Sequence, residues 1–163
     1  MDMSKLTNGD KIIGVSGVLL FIFSFFKWFG YDIGPLSVSQ SAWSFFLCWI
    51  SVLLGVVLVA YVAMKAGGVK LPDLGAVTWS QIVLGVASLI FLLILIKLIA
   101  GPSAHGVDLG SVGISKSRKI GVFLGLIASA GLVAGAFLNA KESGELPGAL
   151  GGSKGGGATP PSP

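Results

Sequence analysis

Long apolar runs separated by short polar segments set the pattern of this chain. Four such runs extend over about 12–29, 42–64, 78–100 and 120–140. A helix crossing the hydrocarbon core of a bilayer needs about 20 apolar residues, with about 17 as a lower limit. Each run therefore predicts a membrane-spanning helix, the first being the shortest. The most apolar stretch, Leu89-Ile90-Phe91-Leu92-Leu93-Ile94-Leu95-Ile96, lies within the third. Each such residue favours insertion by about 0.3–0.6 kcal/mol at a helix centre. The predicted fold class is an all-α membrane protein, a four-transmembrane-helix bundle occupying residues 1–140. Residues 141–163, rich in Gly, Ser and Pro, bring too little apolar surface to offset ordering entropy and read as a disordered tail.

The polar residues mark where the spans begin and end. Asp10, just before the first run, reads as a helix N-cap. Lys27 closes that run, with an ammonium that can reach water, and Lys97 does the same for span three. Trp28, Trp43, Tyr61 and Trp79 fall near span ends, as aromatic belts at the membrane–water interface require. Gly30, Gly34 and Pro35 break the first link, and Gly67, Gly68 and Pro72 break the second.

Two of the links share a string. Residues 31–39 read Tyr-Asp-Ile-Gly-Pro-Leu-Ser-Val-Ser, and residues 107–115 read Val-Asp-Leu-Gly-Ser-Val-Gly-Ile-Ser. Four spans place both copies on one side of the membrane. Apolar alternation in each predicts a short strand. One reading pairs the two strands into a small extracellular sheet over the bundle, so that cysteines at Val38 and Ile114 would crosslink. The other is chance similarity between loops rich in Gly and Ser. Asp32 and Asp108 occupy equivalent places, and Lys27 and Lys97 lie on the same side. The expected loop ion pairs are therefore drawn from Lys27, Asp32, Lys97 and Asp108, each contributing about 0–1 kcal/mol if exposed.

Span four carries Gly121-x-x-x-Gly125 and Gly131-x-x-x-Gly135, and a helical stripe of Gly121, Gly125, Ala128, Leu132, Gly135 and Asn139. Small residues let helices approach closely where lipid supplies no hydrophobic force between them. Packing within the bundle and homodimerisation are both open, with Gly14, Gly17, Gly55 and Gly85 as counter-surfaces.

Composition agrees with a bilayer and narrows the chemistry. Hydrophobic residues make up 53% of the chain and charged residues 11%, against about 25% charged in soluble domains. The net charge of +4 is spread over segment ends, which disfavours nucleic acid and favours anionic headgroups. The single cysteine, Cys48, lies in an apolar run and excludes an intrachain disulfide. The single histidine, His105, stands in a polar loop without the neighbours a catalytic set requires. The first run ends in Phe-Phe-Lys-Trp-Phe instead of small residues, so it reads as an uncleaved span. No catalytic, cofactor or metal residues are expected.

Orientation rests on a small excess of positive charge. Six lysines (5, 11, 65, 70, 141 and 154) share the side of the termini, and five basic residues (27, 97, 116, 118 and 119) share the other. The count favours cytoplasmic termini, while the basic run 116–119 opposes it.

Thr7-Asn8-Gly9-Asp10-Lys11, Phe26-Lys27-Trp28-Phe29 and Ser41-Ala42-Trp43 together resemble a group of uncharacterised small four-span membrane proteins of actinobacterial type. The resemblance covers most of residues 5–142 in pattern. It departs at Phe-Lys-Trp, where Leu-Pro-Trp is commoner. It implies a topology and brings no activity. The architecture is also similar to claudin-type bundles by analogy, without their Trp…Gly-Leu-Trp…Cys…Cys signature. The functional expectation is a non-enzymatic envelope scaffold or accessory subunit in the plasma membrane, with a membrane-protein partner or a homo-oligomer. A small transporter or channel subunit is the alternative.

Overall fold

The computed structural model describes Ser4 and residues 6–33, 35–72, 75, 77–101 and 115–144. These form four helices, α1 (Asn8–Phe23), α2 (Phe46–Ala66), α3 (Trp79–Ala100) and α4 (Ile120–Glu142). Three strands accompany them: β1 (Phe29–Ile33), β2 (Leu36–Gln40) and β3 (Ser115–Arg118). The helices α2, α3 and α4 are long and apolar enough to cross a membrane.

Helix α1 differs from the expected first span at both ends. Its 16 residues reach about 24 Å at 1.5 Å per residue, short of the roughly 30 Å of a hydrocarbon core. It begins earlier than predicted because Thr7, not Asp10, is the N-cap. Thr7 Oγ1 accepts the Asp10 N–H at 3.1 Å, and Asp10 Oδ2 accepts the Thr7 N–H at 3.1 Å. This reciprocal pair is a capping box with Asp10 at its third position. The helix stops at Phe23 instead of Phe29. The Ser24 hydroxyl turns back to the Phe21 carbonyl at 2.5 Å, and the amides of Phe25 and Phe26 bond three residues back. Such tightened bonds end a helix. Residues expected at the end of span one thus become turn and strand. In the second run a short 3-10 turn over Ala42–Ser44 similarly delays the helix to Phe46.

The helices form a ring in chain order. α1 packs against α2 and, most extensively, α4; α3 also packs against α2 and α4. The N-terminus of α1 and the C-terminus of α4 meet at one end, and the sheet occupies the other. Ile13, Leu20, Val52, Ile90, Ile94 and Leu132 are fully buried between the helices. In lipid their contribution is close packing, since the tails outside are equally apolar.

The sheet has the order β2-β1-β3, with both neighbours antiparallel to β1. β1 and β2 form a hairpin, with Tyr31 opposite Val38 and Asp32 opposite Ser37. Phe29 stands opposite both Gln40 and Arg118. A sheet joining loops one and three is therefore present, but its pairing differs from the expected one. The strand from loop three is the basic segment Ser115–Arg118, and it pairs with β1. β1 lies between β2 and β3, so Val38 is two strands, about 10 Å, from the loop-three strand and cannot crosslink to it directly. Of the second string, 107–115, all but Ser115 lies outside the described residues.

Directly opposed residues share a face of a sheet. One face carries Phe29, Tyr31, Leu36, Val38 and Arg118; the other carries Gly30, Asp32, Ser37, Ser39 and Ser117. Phe29 packs edge-on against Phe45, with ring centroids 4.9 Å apart. Arg118 Nε donates to the Leu98 carbonyl at 2.8 Å, and a second guanidinium nitrogen donates to Ile99 at 3.4 Å. A cation thereby satisfies orphan carbonyls at the C-terminus of α3. The face that bears Phe29 and Arg118 is turned to the helix ends.

Candidate functional site

Among the described residues, the most connected polar group lies at the end opposite the sheet. Asp10, in the first turn of α1, is fully buried. Its Oδ2 is 2.7 Å from Lys65 Nζ, in the last turn of α2. Its Oδ1 accepts a short hydrogen bond from Asn139 Nδ2, near the end of α4. Asn139 is also fully buried. Its Oδ1 accepts from Ser80 Oγ at 3.5 Å, in the first turn of α3, and from Ser143 Oγ at 3.3 Å. Ser143 Oγ donates as well to the Asn139 carbonyl at 2.8 Å. Each helix thus contributes one polar side chain to a single network: Asp10, Lys65, Ser80 and Asn139.

The local sequence explains the placement. The capping box fixes the Asp10 carboxylate beside the helix start, where the positive end of the helix dipole favours an anion. Lys65 sits where α2 ends and a cation is favoured. Asn139 ends the small-residue stripe of α4, and the stripe brings α1 close. A Cβ on Gly135 would stand 2.9 Å from Ile13 N and 3.0 Å from the Gly9 carbonyl oxygen. A Cβ on Gly9 would stand 2.6 Å from the Gly135 carbonyl oxygen and closer still to Asn139 N. Only glycines permit this crossing, and it is the crossing that presses Asn139 onto Asp10.

The other predicted packing glycines divide. Gly131 lies directly against Ser16 of α1. Gly121 meets the Lys27 carbonyl and the Trp28 ring, and Gly125 meets the Trp28 ring, in place of a helix. A Cβ on Gly121 would be 2.6 Å from Trp28 Cδ1, and one on Gly125 would be 2.6 Å from Trp28 Cζ2. Trp28 is fully buried and its indole N–H donates to the Phe23 carbonyl at 2.8 Å. It is a wedge in the core. Among the proposed counter-surfaces, Gly17 and Gly55 serve the α1–α2 crossing, where Gly17 lies directly against Val59. Gly14 makes ordinary contact with Val62 and Gly85 faces open space.

The other three aromatics each have a defined partner. Trp43 is partly exposed and its indole N–H donates to Ser24 Oγ at 3.1 Å. Trp79 donates to the Pro72 carbonyl at 2.8 Å and stacks on buried Tyr61 at 5.9 Å. On β1, partial burial raises the pKa of the Tyr31 phenol.

Of the expected loop ion pairs, the one between Lys27 and Asp32 is not formed. Among the described residues the salt bridge is Lys65–Asp10. Lys27 is exposed and forms none with Asp32. Asp108 and His105 lie outside the described residues. Lys97 does not reach water as expected. It is buried, with its amine 4.6 Å from the centroid of Phe45 and 6.0 Å from that of Phe29, a cation–π arrangement.

Chemically, these groups connect helices and offer little to a substrate. Buried Ser51 and Ser129 donate back to Leu47 and Leu126 of their own helices, both at 2.8 Å. An open groove of about 210 Å³ between α1 and α2 is lined by Gly17, Val18, Phe21, Val56 and Val59 and is apolar. Among the described residues no three His, Cys, Asp or Glu side chains gather where a metal ion could be held. The sequence marked Asp10 only as a helix cap and Lys65 only as a flanking cation, so their pairing was missed. The signal available was Thr7-x-x-Asp10 together with the Asn139 that closes the glycine stripe. No family model, curated protein or solved structure matches the chain.

Proposed function

We propose that the protein is an integral membrane protein whose four helices all cross the plasma membrane, α1 with the help of its flanking turns. It serves as a non-enzymatic scaffold or accessory subunit. The observation that carries this reading is the network of Asp10, Lys65, Ser80 and Asn139. It commits Asp10, Lys65, Ser80 and Asn139 to one another, buried Ser51 and Ser129 bond back to their own helices, and apolar side chains fill most of the remaining interior. A transport path needs polar groups left available to a passing solute. Recognition then falls to the sheet and to the outer faces of the helices.

The network end is assigned to the cytoplasm. Lys11, Lys65, Lys70 and Lys141 surround it. Two of the opposing cations have local tasks: Arg118 binds the α3 carbonyls and Lys97 lies over Phe45. The resemblance to small four-span proteins fits this topology.

Reconstitution in liposomes tests the reading. The full chain is expected to leave potassium, sodium and proton leakage at the level of empty vesicles. Flux that scales with protein content and is lost in Asp10→Asn would overturn it in favour of a transporter or channel subunit. Crosslinking with mass spectrometry in native membranes then identifies the partner.

A further inference from the structure

The two edges of the sheet are built differently. β3 carries Lys116 and Arg118 in four residues, and Arg118 is held by the α3 carbonyls. Charges of one sign guard an edge, because a second strand of the same kind would bring like charges together. β2, the opposite edge, reads Leu-Ser-Val-Ser-Gln, and no charged residue lies between Asp32 and Lys65. Among the described residues nothing pairs with its outer side. Leu36 and Val38 are 69% and 52% exposed, so β2 projects past the helix ends instead of resting on them. An edge strand presents unpaired backbone donors and acceptors, a template for strand addition.

We propose that β2 is a homodimer interface, at which a second copy of this chain adds its own β2 antiparallel. The sequence is self-complementary in that arrangement. Centred on Val38, the full five-residue overlap sets Val38 against Val38 of the second copy, Ser37 against Ser39, and Leu36 against Gln40. Like residues then share a face, and no charge meets another. The symmetry suits a membrane. The Phe29–Arg118 face of the sheet is turned to the helix ends, so a two-fold axis perpendicular to the sheet runs roughly along the bundle. Two copies related by it keep the same orientation in one bilayer, as insertion requires. The result is a continuous six-stranded sheet, β3-β1-β2-β2-β1-β3, whose outer edges are both the charged β3. This closes the assembly at two. Leu36 and Val38 from both copies form an apolar strip between the bundles.

Single cysteines in full-length Cys48→Ala protein, oxidised in membranes with copper phenanthroline, test the interface. Directly opposed residues have Cβ atoms about 4.5–5.5 Å apart, close to disulfide reach. Val38→Cys should give a disulfide-linked dimer as the main species. Ser37→Cys and the helix-face control Val57→Cys should give several-fold less. Val38→Lys, at an exposed position, should leave the thermal melt unchanged and reduce the dimer fraction in mild detergent about tenfold by light scattering. The interface is overturned if Val38→Cys links no better than Val57→Cys, or if Val38→Lys remains as dimeric as the parent. A Ser37→Cys link stronger than that of Val38→Cys would overturn the register.

Discussion

Replacing Asn139 by Leu tests the network that joins the four helices. The side chains are similar in size, so the change removes hydrogen bonds with little change in volume. The principal loss is the bond from Asn139 Nδ2 to the Asp10 carboxylate, in a fully buried site. The bonds to Ser80 and Ser143, at 3.5 and 3.3 Å, are long and contribute less. Neutral hydrogen bonds between membrane helices average about 0.6 kcal/mol and reach about 1.7. Bonds to a charged group contribute about 1.5–3 kcal/mol. The carboxylate decides between these figures, and Asn139→Leu should cost about 2 kcal/mol. Asp10→Ala removes the same bond together with the Lys65 pair and half of the capping box. Loss of one partner from a buried ion pair costs about 3–5 kcal/mol. The double variant should fall short of the sum by about 2 kcal/mol, the coupling of the shared bond. Reversible unfolding in mixed micelles of rising dodecyl sulfate content, followed by the fluorescence of the four tryptophans, measures all three. Two single variants each within about 0.5 kcal/mol of the parent, a range typical of uninvolved surface sites, would refute the reasoning.

Other outcomes follow from the same geometry. Gly125→Leu drives a side chain into the indole of Trp28, where a Cβ alone would stand at 2.6 Å. It should destabilise by about 1–3 kcal/mol in the same assay. Gly85→Ala meets open space and should be neutral or stabilise by up to about 1 kcal/mol through helix propensity; equal losses at the two sites would remove the packing argument. Arg118→Gln gives up the cation at the end of α3, an interaction of about 0.3–1 kcal/mol. It should speed amide hydrogen exchange in Phe29–Asp32 while leaving α1 and α4 protected.

The apolar runs made four helices legible, three of them long and apolar enough to cross a membrane. The glycine stripe on α4 also announced a close crossing, since no other residue explains that spacing in an apolar helix. What faces the stripe was not legible. Trp28 has the composition of an interface anchor, and only the early end of α1 at Ser24 swings its ring under Gly121 and Gly125. Asp10 likewise reads as a cap from its neighbours alone. Its burial depends on Gly9 and Gly135 meeting across 126 positions of sequence, a contact that local pattern does not encode. The sheet shows the same division. Alternation in Leu36–Gln40 predicted a strand, but the strand that loop three contributes is set by Arg118 reaching α3, not by the repeated string.

Whether α1 crosses the membrane is the point on which the four-span account stands. Single cysteines at Asn8, Ser37 and Lys70, all exposed, can be placed in Cys48→Ala protein and treated with a membrane-impermeant maleimide. The comparison is between intact cells and cells opened before labelling. The account predicts that Ser37 reacts in intact cells, and that Asn8 and Lys70 react only after opening. Labelling of Asn8 and Ser37 from the same side would contradict it, leaving α1 on the surface and three helices across the bilayer.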